Sequence, residues 1–236
     1  MAVVVLVGAC AAPPPPPDAG ERTGRPVVLL DGWQIDCHLA GPGGWRTWLQ
    51  EAARRRGTAA DVSFFAYDAC QPNSVAVDAL GPFIDGVLAR TGADRVDVVS
   101  HSMGSLVVRA CIRYAGCAGK VDKFLALAPP NHGTLWAGVC SLAFWVRSTC
   151  DMDPNGPFLA ALNSVDETWG DVSYVTMISW CDLTIVPFTS AALDGALDVV
   201  TDRCVGHTDW LHDDVAARWA FDWFDGTGPP PPAAAA

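Results

Sequence analysis

Ser100-His101-Ser102-Met103-Gly104 follows directly on the apolar run Val96-Asp97-Val98-Val99 and runs into the helix-forming Ser105-Leu106-Val107-Val108-Arg109. A serine held at a sharp strand-to-helix turn presents its hydroxyl outward, at a helix N-terminus whose free N–H groups favour developing negative charge. The turn demands small residues two before and two after the serine, because bulk there collides with neighbouring backbone. Gly104 meets the second demand, and Ser100 stands where the Gly-x-Ser-x-Gly pattern has its first glycine. The chemistry of such a residue is attack on a carbonyl carbon, with the N–H of Met103 as one donor to the oxyanion. Attack also needs a general base, and the base needs an acid to orient it. The five histidines are His38, His101, His132, His207 and His212, and the carboxylates downstream include Asp182, Asp194, Asp198 and Asp202. Residue type alone leaves the choice among them open.

The elements that must position these groups show as alternating patterns. Short continuous apolar runs at 27–30, 62–67, 96–99, 124–128, 172–180 and 197–201 have the appearance of strands buried on both faces. Amphipathic stretches at 45–56, 75–90, 105–114 and 210–224 lie between and after them. In the last stretch Leu211, Val215, Trp219 and Trp223 recur every fourth residue and predict the buried helical face. His212 then falls within that helix, on its solvated side. Strand and helix in alternation imply an α/β protein, with a mostly parallel sheet of about six strands and helices on both faces. The ten tryptophans are expected mainly in the core or on helix faces.

Composition narrows the function. The chain has 236 residues, half of them hydrophobic and 17% charged, which suits one domain and excludes a disordered chain. A net charge of −11 argues against nucleic acid as a partner, since phosphate contacts need a basic face. No apolar run approaches the roughly 20 residues of a spanning helix. Nine cysteines are many for a reduced compartment. No Cys-x-x-Cys or His-Glu-x-x-His spacing points to a metal site, and no cofactor is expected.

Ser-His-Ser-Met-Gly after Val-Asp-Val-Val resembles the small secreted bacterial class 2 lipases and esterases of the α/β-hydrolase superfamily, and Pro130-Asn131-His132-Gly133-Thr134 is similar to a segment of the same proteins. The resemblance spans roughly 26–225. It implies a minimal α/β-hydrolase fold and a triad in the chain order Ser, Asp, His. Asp182, at the end of the fifth predicted strand, and His207, between the sixth and the closing helix, match that layout. The second oxyanion donor is then the N–H of Trp33, in Leu30-Asp31-Gly32-Trp33 after the first strand. Asp31 stands where related enzymes carry His. A carboxylate facing the oxyanion opposes catalysis, so Asp31 is expected to turn away and accept backbone hydrogen bonds. The Trp33 ring has two readings, stacking on substrate or packing in its loop. His101 is expected to line strand–helix packing, His132 to order a loop, and His38 to sit at a rim.

The resemblance implies a serine carboxylic ester hydrolase, lipase or esterase, acting on ester or lipid substrates as a monomer. An acyltransferase with the same triad and a non-catalytic hydrolase-fold surface lipoprotein are the alternatives. Trp136, Phe144 and Trp145 are candidate walls of an acyl pocket in the apolar stretch between Thr134 and Asp166. Nearest-neighbour pairing of eight cysteines suggests Cys37–Cys70, Cys111–Cys117, Cys140–Cys150 and Cys181–Cys204. The ninth, Cys10, ends Val7-Gly8-Ala9-Cys10, which resembles a lipobox and makes Cys10 a candidate for lipidation, although a basic n-region is missing. An ordinary secretory signal or a buried first strand are the other readings. The expected organisation is a signal and Pro-rich spacer over 1–24, a hydrolase domain over 25–225 and a Pro/Ala tail over 226–236, in an exported protein that touches membrane only through its anchor.

Overall fold

The computed structural model describes residues 24–33, 42–56, 61–137 and 147–228. The expected leader with Cys10, the spacer, the C-terminal tail from 229, His38, Cys37, Cys140, Phe144 and Trp145 lie outside the described residues.

Among the described residues, six strands form one all-parallel sheet: β1 Val27–Leu30, β2 Val62–Phe65, β3 Val96–His101, β4 Val121–Leu127, β5 Ser173–Ile178 and β6 Leu197–Val200. Their spatial order is β2-β1-β3-β4-β5-β6. The chain therefore moves outward from β1 to β2, then returns past β1 to β3. In an open parallel sheet the crevice at that reversal, at the carboxyl ends of the strands, is where ligands are met. The register brings those ends level, with Leu30 opposite Ser100 and Ser100 opposite Ala126. The loop after β1 and the turn after β3 thus face each other across the crevice.

The described residues also form five α-helices: α1 Arg46–Arg56, α2 Asn73–Thr91, α3 Gly104–Tyr114, α4 Pro157–Leu162 and α5 Asp214–Phe224. Side chains alternate across a strand, and here both faces are apolar. Val28, Leu30 and Val98 pack with Leu80 and Ile84 of α2 and Leu106 and Val107 of α3. Val27, Leu29 and Val99 pack with Trp48 of α1 and Ala217 and Phe221 of α5 on the other side. Burial on both faces is why the strands look like unbroken apolar runs.

The closing helix departs from the expected 210–224. A 3-10 turn covers Asp209–His212, and α5 restarts behind Asp213, whose carboxylate accepts the Ala216 N–H at 2.9 Å as an N-cap. His212 ends that turn rather than lying in the helix, and it is exposed. The buried face is Ala216, Ala217, Ala220, Phe221 and Phe224, while Val215 is 44% exposed. Four-residue spacing drifts roughly 40° per step around a helix. Small alanines instead let α5 approach the sheet, with Phe221 filling the space beneath. Trp45, Trp48 and Trp210 are fully buried as expected of the tryptophans, but Trp136 and Trp180 are mostly exposed.

Candidate active site

Ser102 has φ of +53°, a left-handed conformation that a non-glycine residue holds only when its surroundings impose it. Ser102 donates its N–H to the Leu127 carbonyl at 2.9 Å, and its own carbonyl accepts the Ser105 N–H at 3.0 Å. The turn is therefore fixed between β4 and the first turn of α3. Two glycines make room for it. A Cβ on Gly104 would stand 2.4 Å from the Asp31 carbonyl oxygen, and one on Gly32 would stand 2.6 Å from the Ser102 Cβ. Ser100 fits in place of glycine because its buried hydroxyl hydrogen-bonds the Ser105 hydroxyl at 2.7 Å.

His207 Nε2 lies 3.0 Å from Ser102 Oγ, and His207 Nδ1 lies 2.8 Å from Asp182 Oδ2. An ionised carboxylate only accepts, so Nδ1 carries the proton and the Nε2 lone pair faces the Ser102 hydroxyl. The other carboxylate oxygen, Asp182 Oδ1, accepts the N–H groups of Thr184 at 2.8 Å and Ile185 at 3.0 Å. Burial pushes the Asp182 carboxyl up, but the bond and charge of His207 and these two N–H groups outweigh it and hold it below its ordinary value. At His207 burial pushes down and the Asp182 bond pulls up. Burial wins, helped by the neighbouring His101, and leaves the imidazole below its ordinary value. A neutral base beside an ionised carboxylate is the resting state needed for taking a hydroxyl proton.

The loops bearing these two residues are tied together. Cys181 and Cys204 form a disulfide. The Ser179 hydroxyl accepts the N–H groups of Cys181 at 3.2 Å and Val205 at 3.1 Å. The Pro130–Thr134 segment braces the Asp182 loop, since the Thr134 hydroxyl donates to the Thr184 carbonyl at 2.7 Å and accepts the Val186 N–H at 3.1 Å. Gly133 has φ of +83° and no room for a Cβ, which would meet the Met152 carbonyl oxygen at 2.6 Å. Within this segment His132 pairs with Glu167 at 2.9 Å, a loop-ordering contact away from Ser102.

Asp198 Oδ1 accepts the Leu193 N–H at 3.2 Å and bonds the Thr176 hydroxyl, while Asp194 and Asp202 are exposed. The Trp33 ring packs against the core face formed with α2 and α3, which favours loop packing over stacking on substrate. Trp136 is 66% exposed and donates its indole N–H to the Leu183 carbonyl at 2.9 Å. Cys111–Cys117 is a second disulfide. Cys70 and Cys150 are disulfide-bonded too, and the partners expected for them, Cys37 and Cys140, lie outside the described residues. A cleft of about 1350 Å³ lined by Arg25, Arg55, Asp122 and Asp171 opens at the amino ends of the strands, the far side of the sheet from Ser102.

Asp31 and His101 are where the structure adds most. Asp31 does turn its carboxylate to backbone, with Oδ1 accepting the Gly32 N–H at 2.8 Å. The same oxygen lies 3.0 Å from His101 Nδ1, and His101 Nε2 lies 2.8 Å from the carbonyl oxygen of His207. His101 thus reaches the loop of His207, correcting the expectation that it lines strand–helix packing. His101 ends β3 and Ser102 lies in the turn beyond it, and the His207 loop folds over the His101 ring.

A family model described as Lipase (class 2) matches residues 62–218. A search of curated proteins returned no match. Among solved structures, lipase B of Aspergillus fumigatus superposes with a TM-score of 0.71 at 19% identity, over 91% of this chain and 56% of that one. The Bacillus licheniformis lipase BlEst2 in propeptide form gives 0.71 at 15% identity, over 94% and 53%. The chain therefore spans little more than half the length of either. An esterase from Thermogutta terrifontis gives 0.58 at 12% identity, over 88% and 92%. At such identities the likeness to these structures is one of fold.

Proposed function

The chain belongs to the class 2 lipase family, and on that premise we propose that it is a serine carboxylic ester hydrolase with Ser102, His207 and Asp182 as its triad. Ser102 Oγ attacks the ester carbonyl carbon while His207 Nε2 takes the hydroxyl proton. The carbonyl oxygen becomes an oxyanion, held by the N–H groups of Met103 and Trp33. Collapse breaks the ester C–O bond, the His207 proton passes to the departing alkoxide, and an acyl-enzyme remains on Ser102. A water molecule loses a proton to His207 and attacks the acyl carbon. The second collapse returns that proton to Ser102 Oγ and releases the carboxylic acid. Asp182 holds the Nδ1–H tautomer and stabilises the imidazolium of both halves.

The observation that carries this reading is the unbroken chain Asp182–His207–Ser102, at 2.8 and 3.0 Å, ending on a serine of positive φ at the head of α3. Asp31 no longer opposes the oxyanion when its carboxylate is committed to Gly32 and His101. Disulfide bonding of Cys70, Cys111, Cys117, Cys150, Cys181 and Cys204 supports export into an oxidising compartment. No helix among the described residues is long and apolar enough to cross a membrane.

The test is turnover of p-nitrophenyl esters of rising chain length by the wild type and by Ser102→Ala. The expected result is loss of nearly all turnover in the variant at every chain length, with the chain-length profile of the wild type separating esterase from lipase. Equal turnover by both proteins overturns the reading.

A further inference from the structure

Two buried titratable side chains beside the triad have no part in the hydrolytic steps above. His101 and Asp31 are 5% and 9% exposed in their side chains and lie 3.0 Å apart, at the carboxyl ends of β3 and β1. The ring of His101 is bonded on both sides, to the Asp31 carboxylate through Nδ1 and to the His207 carbonyl through Nε2. A carbonyl oxygen only accepts a hydrogen bond, and so does an ionised carboxylate. Both bonds form together only if the pair holds two protons, either both on the ring or one on Nε2 and one on the carboxyl. In each case the pair carries no net charge.

Three consequences follow. The Asp31 carboxylate, which sits in the oxyanion loop, is neutralised inside the pair. The backbone of His207 is held by its carbonyl from β3, while its ring is held by Asp182 from the end of β5, so the imidazole is fixed at two points. The Gly32 N–H, one residue before the Trp33 donor, shares Asp31 Oδ1 with His101, so Asp31 Oδ1 and the His101 ring together link the oxyanion loop to the base loop. The rings of His101 and His207 lie 4.7 Å apart, centroid to centroid. We propose that Asp31 and His101 form a positioning pair that clamps the His207 backbone to the oxyanion loop, setting base and oxyanion donors in one register. The proposal rests on Ser102 being the nucleophile. His101 touches no reacting atom and acts through His207.

Two readouts test it, both on the full chain. The first is NMR of the protein labelled with 15N-histidine, with His101 assigned by its loss in His101→Gln. A solvent-protected, hydrogen-bonded proton on each side of the His101 ring is expected; a ring whose Nε2 carries no protected proton overturns the proposal. The second is steady-state kinetics on a soluble ester for His101→Leu, His101→Gln and Asp31→Asn. Outer partners that orient metal-bound histidines cost about 10- to 100-fold when removed, and His101→Leu is expected to lose kcat in that same range with KM changed by less than about threefold. His101→Gln, whose amide N–H replaces Nε2–H toward the His207 carbonyl, is expected to recover most of the loss. A merely structural role would not give rescue by glutamine with KM unmoved. If His101→Leu does not fold, the glutamine and Asp31→Asn variants decide: Asp31→Asn is expected to fall below His101→Gln in kcat, because the amide cannot satisfy both Gly32 and His101 as before. Wild-type kcat in Asp31→Asn together with a glutamine variant no better than a folded leucine variant overturns the clamp. A wild type without ester turnover overturns the hydrolase reading instead, and leaves the NMR result to judge the pair.

Discussion

Replacing Asp182 by Asn should cost far more than a lost charge, because the two carboxylate oxygens have different partners. Oδ1 accepts two backbone N–H groups, from Thr184 and Ile185, and Oδ2 faces His207 Nδ1. In the Asp182→Asn variant the amide oxygen must keep the Oδ1 position, since an NH2 group there would meet two donors. The NH2 group is then forced toward His207 Nδ1 and donates to it. That puts the imidazole proton on Nε2, pointing at Ser102 Oγ, which is the wrong tautomer for accepting the serine proton. Tautomer inversion with intact geometry costs about 10⁴-fold in kcat in a serine protease triad, or about 5 kcal/mol of barrier. The backbone bonds of the loop survive, so folding should be little affected. The assay is kcat on a soluble p-nitrophenyl ester, with the rate of fluorophosphonate labelling in parallel, because both need the base. A variant within about tenfold of the wild type in both would refute the tautomer argument.

Other outcomes are expected from the same geometry. On the proposed mechanism activity requires neutral His207, whose value is displaced downward by burial; log kcat/KM should therefore rise with pH along one acidic limb below the ordinary imidazole value and be flat at neutral pH, and a limb at or above neutrality contradicts this. Gly104→Ala places a methyl 2.4 Å from the Asp31 carbonyl oxygen and must displace the oxyanion loop, so kcat should fall by about 10²- to 10³-fold, as when one oxyanion donor is lost; near-normal kcat in a folded variant contradicts it. Removing Cys181 and Cys204 together opens a loop of 23 residues, with an expected stability loss of about 3 kcal/mol in urea unfolding and a fall in kcat from the slackened acid and base loops. An unchanged unfolding midpoint would show that the disulfide adds nothing.

The elbow is legible in the sequence because it is local. A strand run, a small residue on each side of Ser102 and a helix start all fall within a dozen positions, and each is a steric requirement of one turn. Asp182 and His207 are 25 residues apart in the chain and bonded through their side chains. No periodicity encodes that contact; only the chain order of the resembled fold points to it. His101 carries no signal at all, because its bond to the His207 carbonyl joins positions 106 residues apart, and its neighbour in sequence is the more conspicuous residue. Asp31 is visible as a departure from the family pattern, but its accommodation is not, since the His101 ring that meets its carboxylate is on another strand. The closing helix differs from its sequence pattern for another reason. Large residues at four-residue spacing outweigh the alanines in the pattern, whereas close packing on the sheet favours Ala216, Ala217 and Ala220, and the Asp213 cap shifts the start.

The central claim is that Ser102 is the nucleophile, activated through His207. Its most direct measurement is the site of covalent capture: label the purified protein with a fluorophosphonate, digest it and locate the adduct by mass spectrometry. The account predicts one adduct, on Ser102, absent from Ser102→Ala and strongly slowed in Asp182→Asn. An unlabelled wild type, or an adduct on a different residue that persists in Ser102→Ala, would contradict it.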